Sequence, residues 1–364
     1  MARAAVIHGP EGFDILDLKV APPEAGEVRV RMSAAGVCHS DLNVVHRGGT
    51  GMFLPAVLGH EGAGIVEEVG AGVEDVAVGD HVVLAVVASC GHCRYCLKGQ
   101  PTLCDLGRFG RGARLRDGTT RLSVDGTAVG QMAGLGTWSA EAVVPSDVAI
   151  RIDPAMPMPQ AAIIGCGVVT GYGAATVLGE VATGDTVAVI GCGGVGLSGL
   201  QGARIRGAER VIAVDRLPAK LGYATALGAT DTVDASATDP VEAVLELTGG
   251  EGVDVALDFV GAQATAVQAI NMTRRGGRCV FTGLADPTWT LETVTFLRQG
   301  KTLRGNYMGM LPFRRAFPEL IELYQQGRLL LDEMVSREIA IDDVADAFRA
   351  MEAGEVARSV VTSW

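Results

Sequence analysis

Apolar and polar residues alternate with a period near two through the first part of the chain. Glu27-Val-Arg-Val-Arg31, Gly64-Ile-Val-Glu-Glu-Val69 and Asp80-His-Val-Val-Leu84 are examples, divided by Gly, Pro and Asp turns. This pattern predicts short half-buried strands, so residues 1 to about 165 read as β-rich. From Val187 the texture changes. Val187-Ala-Val-Ile190, Val211-Ile-Ala-Val214, Val253-Asp-Val-Ala-Leu257, Arg278-Cys-Val-Phe281 and Thr302-Leu-Arg304 are compact apolar runs with helical spacers between them. Ala219 to Leu227 and Pro240 to Leu247 are two such spacers. Runs of this kind predict parallel strands joined by helical crossovers. The tail from Phe313 reads as mostly helical, with a last strand at Val360-Val361.

At 364 residues the chain is long enough for two domains, and 48% hydrophobic residues can fill a substantial core. A net charge of −12 argues against a nucleic-acid or anionic-membrane partner, whose phosphates need a basic surface. The N-terminus turns polar before a signal-peptide core could form, and Thr186 to Leu200, the longest membrane candidate in the pattern, is one-third glycine. A soluble, cytoplasmic protein with reduced thiols is expected.

Those thiols carry the first chemistry. Cys90, Cys93, Cys96 and Cys104 have two, two and seven residues between them. Four thiolates at this spacing can close a tetrahedral cage around zinc and leave no open position, which predicts a structural metal. Disulfides fit less well, because cysteines two residues apart rarely reach bridging geometry. His92, inside the run, reads as a solvated loop residue.

The second motif is Gly191-Cys-Gly193-Gly194-Val195-Gly196, after the strand at Val187 and before an apolar stretch, with Asp215 ending the next strand. Strand, glycine turn, helix and acid together make a dinucleotide fingerprint, in which a helix N-terminus meets the pyrophosphate. Asp215 favours NAD over NADP by accepting from the ribose hydroxyls. The adjacent Arg216 either stacks on adenine or accommodates a 2′-phosphate.

Four cysteines remain. Cys192 and Cys279 read as small buried hydrophobes. Cys38, in Gly36-Val-Cys-His-Ser-Asp41, and Cys166, in Gly165-Cys-Gly-Val-Val-Thr-Gly-Tyr-Gly173, flank Gly59-His60-Glu61-Gly-Ala-Gly64. Two thiolates and an imidazole would leave a fourth zinc position open for catalysis, although spacing alone does not assign ligands this far apart.

Gly59-His60-Glu61-x₂-Gly64-x₅-Gly70-x₂-Val73, the four-cysteine lobe and the fingerprint occur in the order found in zinc-dependent medium-chain alcohol dehydrogenases, which the chain resembles nearly end to end. The layout is most similar to the dimeric class I and class III enzymes. The resemblance implies an α/β protein in two parts. A GroES-like β-rich catalytic domain would span 1–167 and 309–364, with a zinc lobe at about 88–106. A Rossmann doubly wound NAD-binding domain would span 168–308. It implies two zinc ions per subunit, with Cys38, His60 and Cys166 holding the catalytic one. Asp41 would orient His60, Glu61 would sit behind the metal as a transient ligand, and Ser40 would take the substrate proton. His39 and Arg358 would meet the pyrophosphate, Thr170 the nicotinamide and Lys220 the adenosine ribose. A small-molecule alcohol or aldehyde is the implied substrate, and a homodimer the implied assembly, with a tetramer as alternative.

Two positions depart from the pattern. Asn43 stands where many relatives carry a relay histidine, leaving His46 or water to end the relay. Leu106 to Met132 is long, as in glutathione-dependent formaldehyde dehydrogenases, and Arg108 matches their carboxylate contact, but Gly49 and Gly51 replace the acidic partners. A thiol-dependent formaldehyde dehydrogenase is therefore the rival reading. Val86, where some relatives have phenylalanine, would widen a pocket walled by Trp138, Leu284 and Met308. These features lead to an expected medium-to-large or aromatic primary alcohol.

Overall fold

The computed structural model describes residues 1–108 and 112–364, apart from the side chains of Arg108, Thr295 and Phe296. The chain forms two units. One comprises Met1–Cys166, Pro312–Glu322 and Val335–Trp364, and the other Gly167–Leu311 and Leu323–Met334.

In the first unit, Ala2–Gly9, Gly12–Val20, Leu122–Val124, Thr127–Gln131 and Ala56–Val57 close a barrel. A second sheet runs Ala149–Arg151, His81–Leu84, Gly62–Val69, Glu27–Gly36, Arg358–Ser363 and Val335–Ala340, with Glu141–Pro145 also paired to Glu27–Gly36. The period-two runs are the centre of this sheet. Ala4, Val6, Leu18, Val57, Leu58, Val129, Trp138, Ile341 and Phe348 belong to the unit's buried apolar cluster.

A buried ion pair ties the long segment before Leu122 to this sheet. Arg121 grips Glu27 with two hydrogen bonds of 2.8 Å, Nε to Oε2 and Nη2 to Oε1, and also donates to Asp117 Oδ2 at 2.9 Å. Glu27 opens the central strand and its Oε2 also accepts from the Glu24 N–H.

The second unit is a six-stranded parallel sheet in the order Asp231–Asp234, Arg210–Asp215, Thr186–Ile190, Val253–Asp258, Thr273–Phe281, Thr302–Gly305. The order reverses direction between the third and fourth strands, and such a switch opens a crevice beyond the carboxyl ends of the strands. Ile190, Ile212, Val214, Val244, Val253, Ile270 and Met272 are among its buried core residues.

Several expectations need correction. Asp231–Asp234 is a strand that the apolar pattern did not reveal, because three of its four residues are polar and it pairs on one side only. Val335–Ala340 is another, pairing parallel with Arg358–Ser363. Leu323–Met334, expected with the catalytic part, groups with the parallel-sheet unit. There Gln201 holds the Leu330 backbone from both sides, accepting its N–H at 2.7 Å and donating to its carbonyl at 3.3 Å. The longest apolar run is also a different one. The helical run Met158–Leu178 has the length and composition to cross a membrane, but 78% of its most apolar window is buried inside the protein, as in a core helix.

Arg121→Met should destabilise the protein by about 3 kcal/mol, because Glu27 would stay buried without its countercharge. Urea unfolding checks this, and a loss well under ~1 kcal/mol would show that the pair does not tie the segment to the sheet.

Candidate active site and dinucleotide site

The active-site cluster begins with a helix cap. Cys38 is the extended residue preceding the helix His39–His46, and Asp41, in the first turn, reaches back to accept the Cys38 N–H at 3.0 Å. An acid at this position satisfies an otherwise orphaned donor at the helix start. The other oxygen of the same carboxylate lies 2.8 Å from His60 Nδ1. Sheet register brings His60 to it. Ala35 pairs with Gly62, and the Gly36 N–H donates to the Glu61 carbonyl at 3.1 Å, so His60 and Glu61 run beside Gly36–Cys38. Cys166 arrives from a π-helical turn, Ile164–Val168, within the run that follows the β-rich part. Such wide turns re-aim a side chain that a regular helix would point elsewhere.

The result is a buried group in which ligand atoms of Cys38, His60, Glu61 and Cys166 all lie within 4.8 Å of one another. With Nδ1 tied to Asp41, His60 Nε2 is buried and without a hydrogen-bond partner. A buried imidazole nitrogen facing two thiols suits a metal, and an orienting carboxylate on the other nitrogen is the usual support for such a ligand. The residues fit zinc.

Electrostatics at the site agree with this. The hydrogen bond from Cys166 and, against the effect of burial, the proximity of His60 hold the Cys38 thiol well below its ordinary pKa. The same Cys38 bond, with burial, pushes Cys166 well up. Burial opposes a charge on His60, but Asp41 and then Cys38 carry its pKa well above the usual value. Burial also raises Asp41, and it raises Glu61 to about 7 against the pull of Arg358. Glu61 and Arg358 form a buried ion pair. There is no room for a larger residue nearby, since a Cβ on Gly36 would lie 2.1 Å from Glu61 Oε2.

The four-cysteine lobe also fits its metal. All eight cysteines are free thiols. Sulfur separations are 3.6 Å for Cys93–Cys96, 3.8 Å for Cys93–Cys104 and 4.0 Å for Cys90–Cys96. A tetrahedron with arms of about 2.3 Å has edges of about 3.8 Å, so the sulfurs already surround a zinc-sized space. The Cys93 N–H donates to Cys90 Sγ at 3.2 Å and the Cys90 N–H to Cys104 Sγ at 3.3 Å, so backbone amides of the lobe help place two of the sulfurs. His92 is outside the cage, with Nδ1 2.8 Å from the Cys90 carbonyl.

In the second unit, three of the four fingerprint glycines have a visible role. Gly191 turns the chain at φ +88°, a conformation that L side chains rarely adopt. A Cβ on Gly196 would meet the Gly191 carbonyl at 1.9 Å, so the helix Gly194–Ile205 could not pack on the strand. Gly193 instead faces open space, which leaves the first turn around Gly194 and Val195 approachable. This is the cradle a pyrophosphate needs. Asp215 holds the turn by accepting the Cys192 N–H at 2.8 Å and the Leu217 N–H at 3.0 Å. Arg216 is exposed, Lys220 is half-buried, and Cys192 and Cys279 are buried as expected.

Other candidate residues fall less neatly. His39 and Ser40 occupy the exposed first turn of their helix. His46 ends that helix, exposed and 3.9 Å from Glu352, and is not part of the cluster. Arg358 is buried and paired with Glu61. Trp138 is fully buried against Phe13 and Phe348, with its indole N–H on the Gly36 carbonyl at 3.1 Å. Leu284 is exposed on the rim of a cavity of about 480 Å³ with Thr282, Trp289 and Asn306. Val86 borders a void of only about 30 Å³. Thr170 and Met308 do meet, with Thr170 Oγ1 3.7 Å from Met308 Sδ. The Arg108 side chain lies outside the described residues. Sequence reasoning missed Asn306, whose only signal was its position directly after the last parallel strand.

Comparison with known proteins assigns both parts of the chain to known domain families. Residues 24–154 match the alcohol dehydrogenase GroES-like domain and residues 194–326 the zinc-binding dehydrogenase domain. The chain is 38% identical to an NDMA-dependent alcohol dehydrogenase of Amycolatopsis methanolica, over 99% of this chain and 98% of that one. It is also 38% identical to a probable S-(hydroxymethyl)glutathione dehydrogenase 1 of Schizosaccharomyces pombe, over 99% and 96%. The crystal structure of benzyl alcohol dehydrogenase from Acinetobacter calcoaceticus superimposes with a TM-score of 0.93 at 31% identity, covering 100% of this chain and 99% of that one.

Two metal ions per chain are expected by elemental analysis. Cys166→Ser should retain one of them and an unchanged circular dichroism spectrum. Cys93→Ser should instead lower the thermal midpoint by about 5 °C or more, because a closed cage contributes folding energy. A full metal complement in Cys166→Ser would refute the ligand assignment.

Proposed function

Since the chain belongs to the zinc-dependent medium-chain alcohol dehydrogenase family, we propose that it oxidises a medium-to-large or aromatic primary alcohol to its aldehyde, or runs the reverse reaction, with NAD as hydride acceptor. The observation that carries this reading is the buried Cys38–His60–Cys166 group with its unpartnered His60 Nε2.

Zinc held by these three residues supplies Lewis acidity that lowers the pKa of an alcohol hydroxyl toward neutrality. Asp41 keeps His60 in one tautomer and one orientation and leaves Nε2 available as the ligand atom. Glu61, paired with Arg358, gives the site a buried carboxylate beside the three ligands. We assign the substrate proton to Ser40, whose exposed position lets it pass to water without a relay histidine at Asn43. Open space at Gly193 and the free amides at the start of Gly194–Ile205 receive the pyrophosphate. Asp215 disfavours a 2′-phosphate by its charge.

The aromatic preference draws support from the benzyl alcohol dehydrogenase likeness. The rival, a thiol-dependent formaldehyde dehydrogenase, draws support from the Schizosaccharomyces pombe relative. Against it, Gly49 and Gly51 adopt φ of +68° and +86° and carry no acid to meet an adduct's amino group.

NADH formation from a panel of primary alcohols, with NAD and no added thiol, is the direct test. Turnover should rise from ethanol toward benzyl-type and longer alcohols, and a marked preference for ethanol would overturn the pocket reading. Activity on formaldehyde only with glutathione would select the rival. Turnover only with added NDMA would align the chain with the behaviour named for the Amycolatopsis relative. Asp215→Ser should shift the NADP-to-NAD ratio of kcat/KM upward by about tenfold.

A further inference from the structure

We propose that Asn306 is a positioning residue for the nicotinamide end of the dinucleotide, through its hold on Thr170 and on the Met308–Met310 turn; this rests on the dinucleotide reading above. Asn306 directly follows Thr302–Gly305, the last strand of the parallel sheet, and Thr282 directly follows Thr273–Phe281 beside it. Both residues therefore stand on the carboxyl-end rim, where open parallel sheets bind ligands.

The Asn306 carboxamide is used on both sides. Nδ2 donates to the Thr170 carbonyl at 3.1 Å and to Thr282 Oγ1 at 3.1 Å, and Oδ1 accepts the Gly309 N–H at 2.9 Å. Three segments of the chain are joined by one planar group.

The segment it holds is unusual. Met308, Gly309 and Met310 have φ of +54°, +73° and +54°, three successive left-handed residues of which two have side chains. Such backbone persists only when surrounding contacts over-determine it, and these conformations cluster at ligand sites. The turn is also wedged against the Thr170 helix. A Cβ on Gly173 would lie 2.1 Å from the Gly309 carbonyl, and one on Gly309 would lie 2.2 Å from the Val169 carbonyl. That helix in turn touches the fingerprint helix, since a Cβ on Gly171 would lie 2.1 Å from the Val195 carbonyl. The Thr170 hydroxyl and Met308 sulfur meet at this junction, so a shift at Asn306 moves both. Asn306 makes no hydrogen bond to the fingerprint turn or to Asp215; that turn has its own hold, the Asp215 carboxylate on the Cys192 and Leu217 amides.

The test separates the two ends of the ligand. Asn306→Asp keeps the shape and the acceptor for Gly309 but sets a carboxylate oxygen against the Thr170 carbonyl. Titration calorimetry on the full, zinc-loaded protein should give an NADH affinity about tenfold weaker, while ADP-ribose, which lacks the nicotinamide, binds within about twofold of wild type. Should Asn306→Asp not fold, Asn306→Ala and Thr282→Val carry the same comparison, with the smaller loss in Thr282→Val. Equal weakening of both ligands, or unchanged NADH affinity, would overturn the positioning role. Failure of wild type to bind ADP-ribose would instead overturn the dinucleotide reading itself.

Discussion

Asp41 occupies the point from which the active-site geometry is set. It is fully buried, and its two oxygens bind the Cys38 N–H and His60 Nδ1, so one carboxylate fixes a helix start and an imidazole orientation together. A buried carboxylate is tolerated only where its charge is answered. The answer here is shared. Cys38, Cys166, Asp41 and Glu61 can all carry negative charge, while His60 and Arg358 are the positive groups named among their contacts. The rise at Cys166 comes first from its bond to Cys38 and then from burial, with the neighbouring negative charges adding to it, and under the proposed function a divalent cation among the sulfurs would offset the excess negative charge. Under the proposed function the metal thus has two roles, balancing a buried charge cluster and activating an alcohol.

The same logic separates the two cysteine groups. In the lobe, four sulfurs approach a regular tetrahedron through local backbone turns, with amide donors from within the same stretch. A site of that kind is complete once filled. In the buried cluster, two sulfurs and one nitrogen come from three separate elements, and Glu61 is committed to Arg358. Under the proposed function, that incompleteness leaves the second site a position for substrate.

The dinucleotide unit divides its labour in a comparable way. Glycines at the fingerprint give a turn, an opening and a close helix contact, while Asp215 pins that turn through two backbone amides. At the other end of the rim a strained turn needs an external hold, and Asn306 supplies it. Conformational strain in a protein of marginal stability survives only with such compensation.

Much of this was legible in the sequence because its causes are local. Sulfur spacing within fifteen residues determines the lobe, the glycine pattern determines the fingerprint turn, and short apolar runs determine five of the six parallel strands. Cys38, His60 and Cys166 were legible as one candidate metal set only through likeness to a family, since nothing in a one-dimensional pattern brings residues 38, 60 and 166 together. What the tertiary structure alone decided depends on the register between distant strands. Pairing of Val360 with Gly36 brings Arg358 onto Glu61, barrel closure buries Trp138, and the adjacency of the last two parallel strands places Asn306 between Thr170 and Thr282. Side-chain chemistry is written residue by residue, but a hydrogen bond across a hundred residues exists only after the sheet has chosen its pairing, and that choice is made by the packing of the whole core.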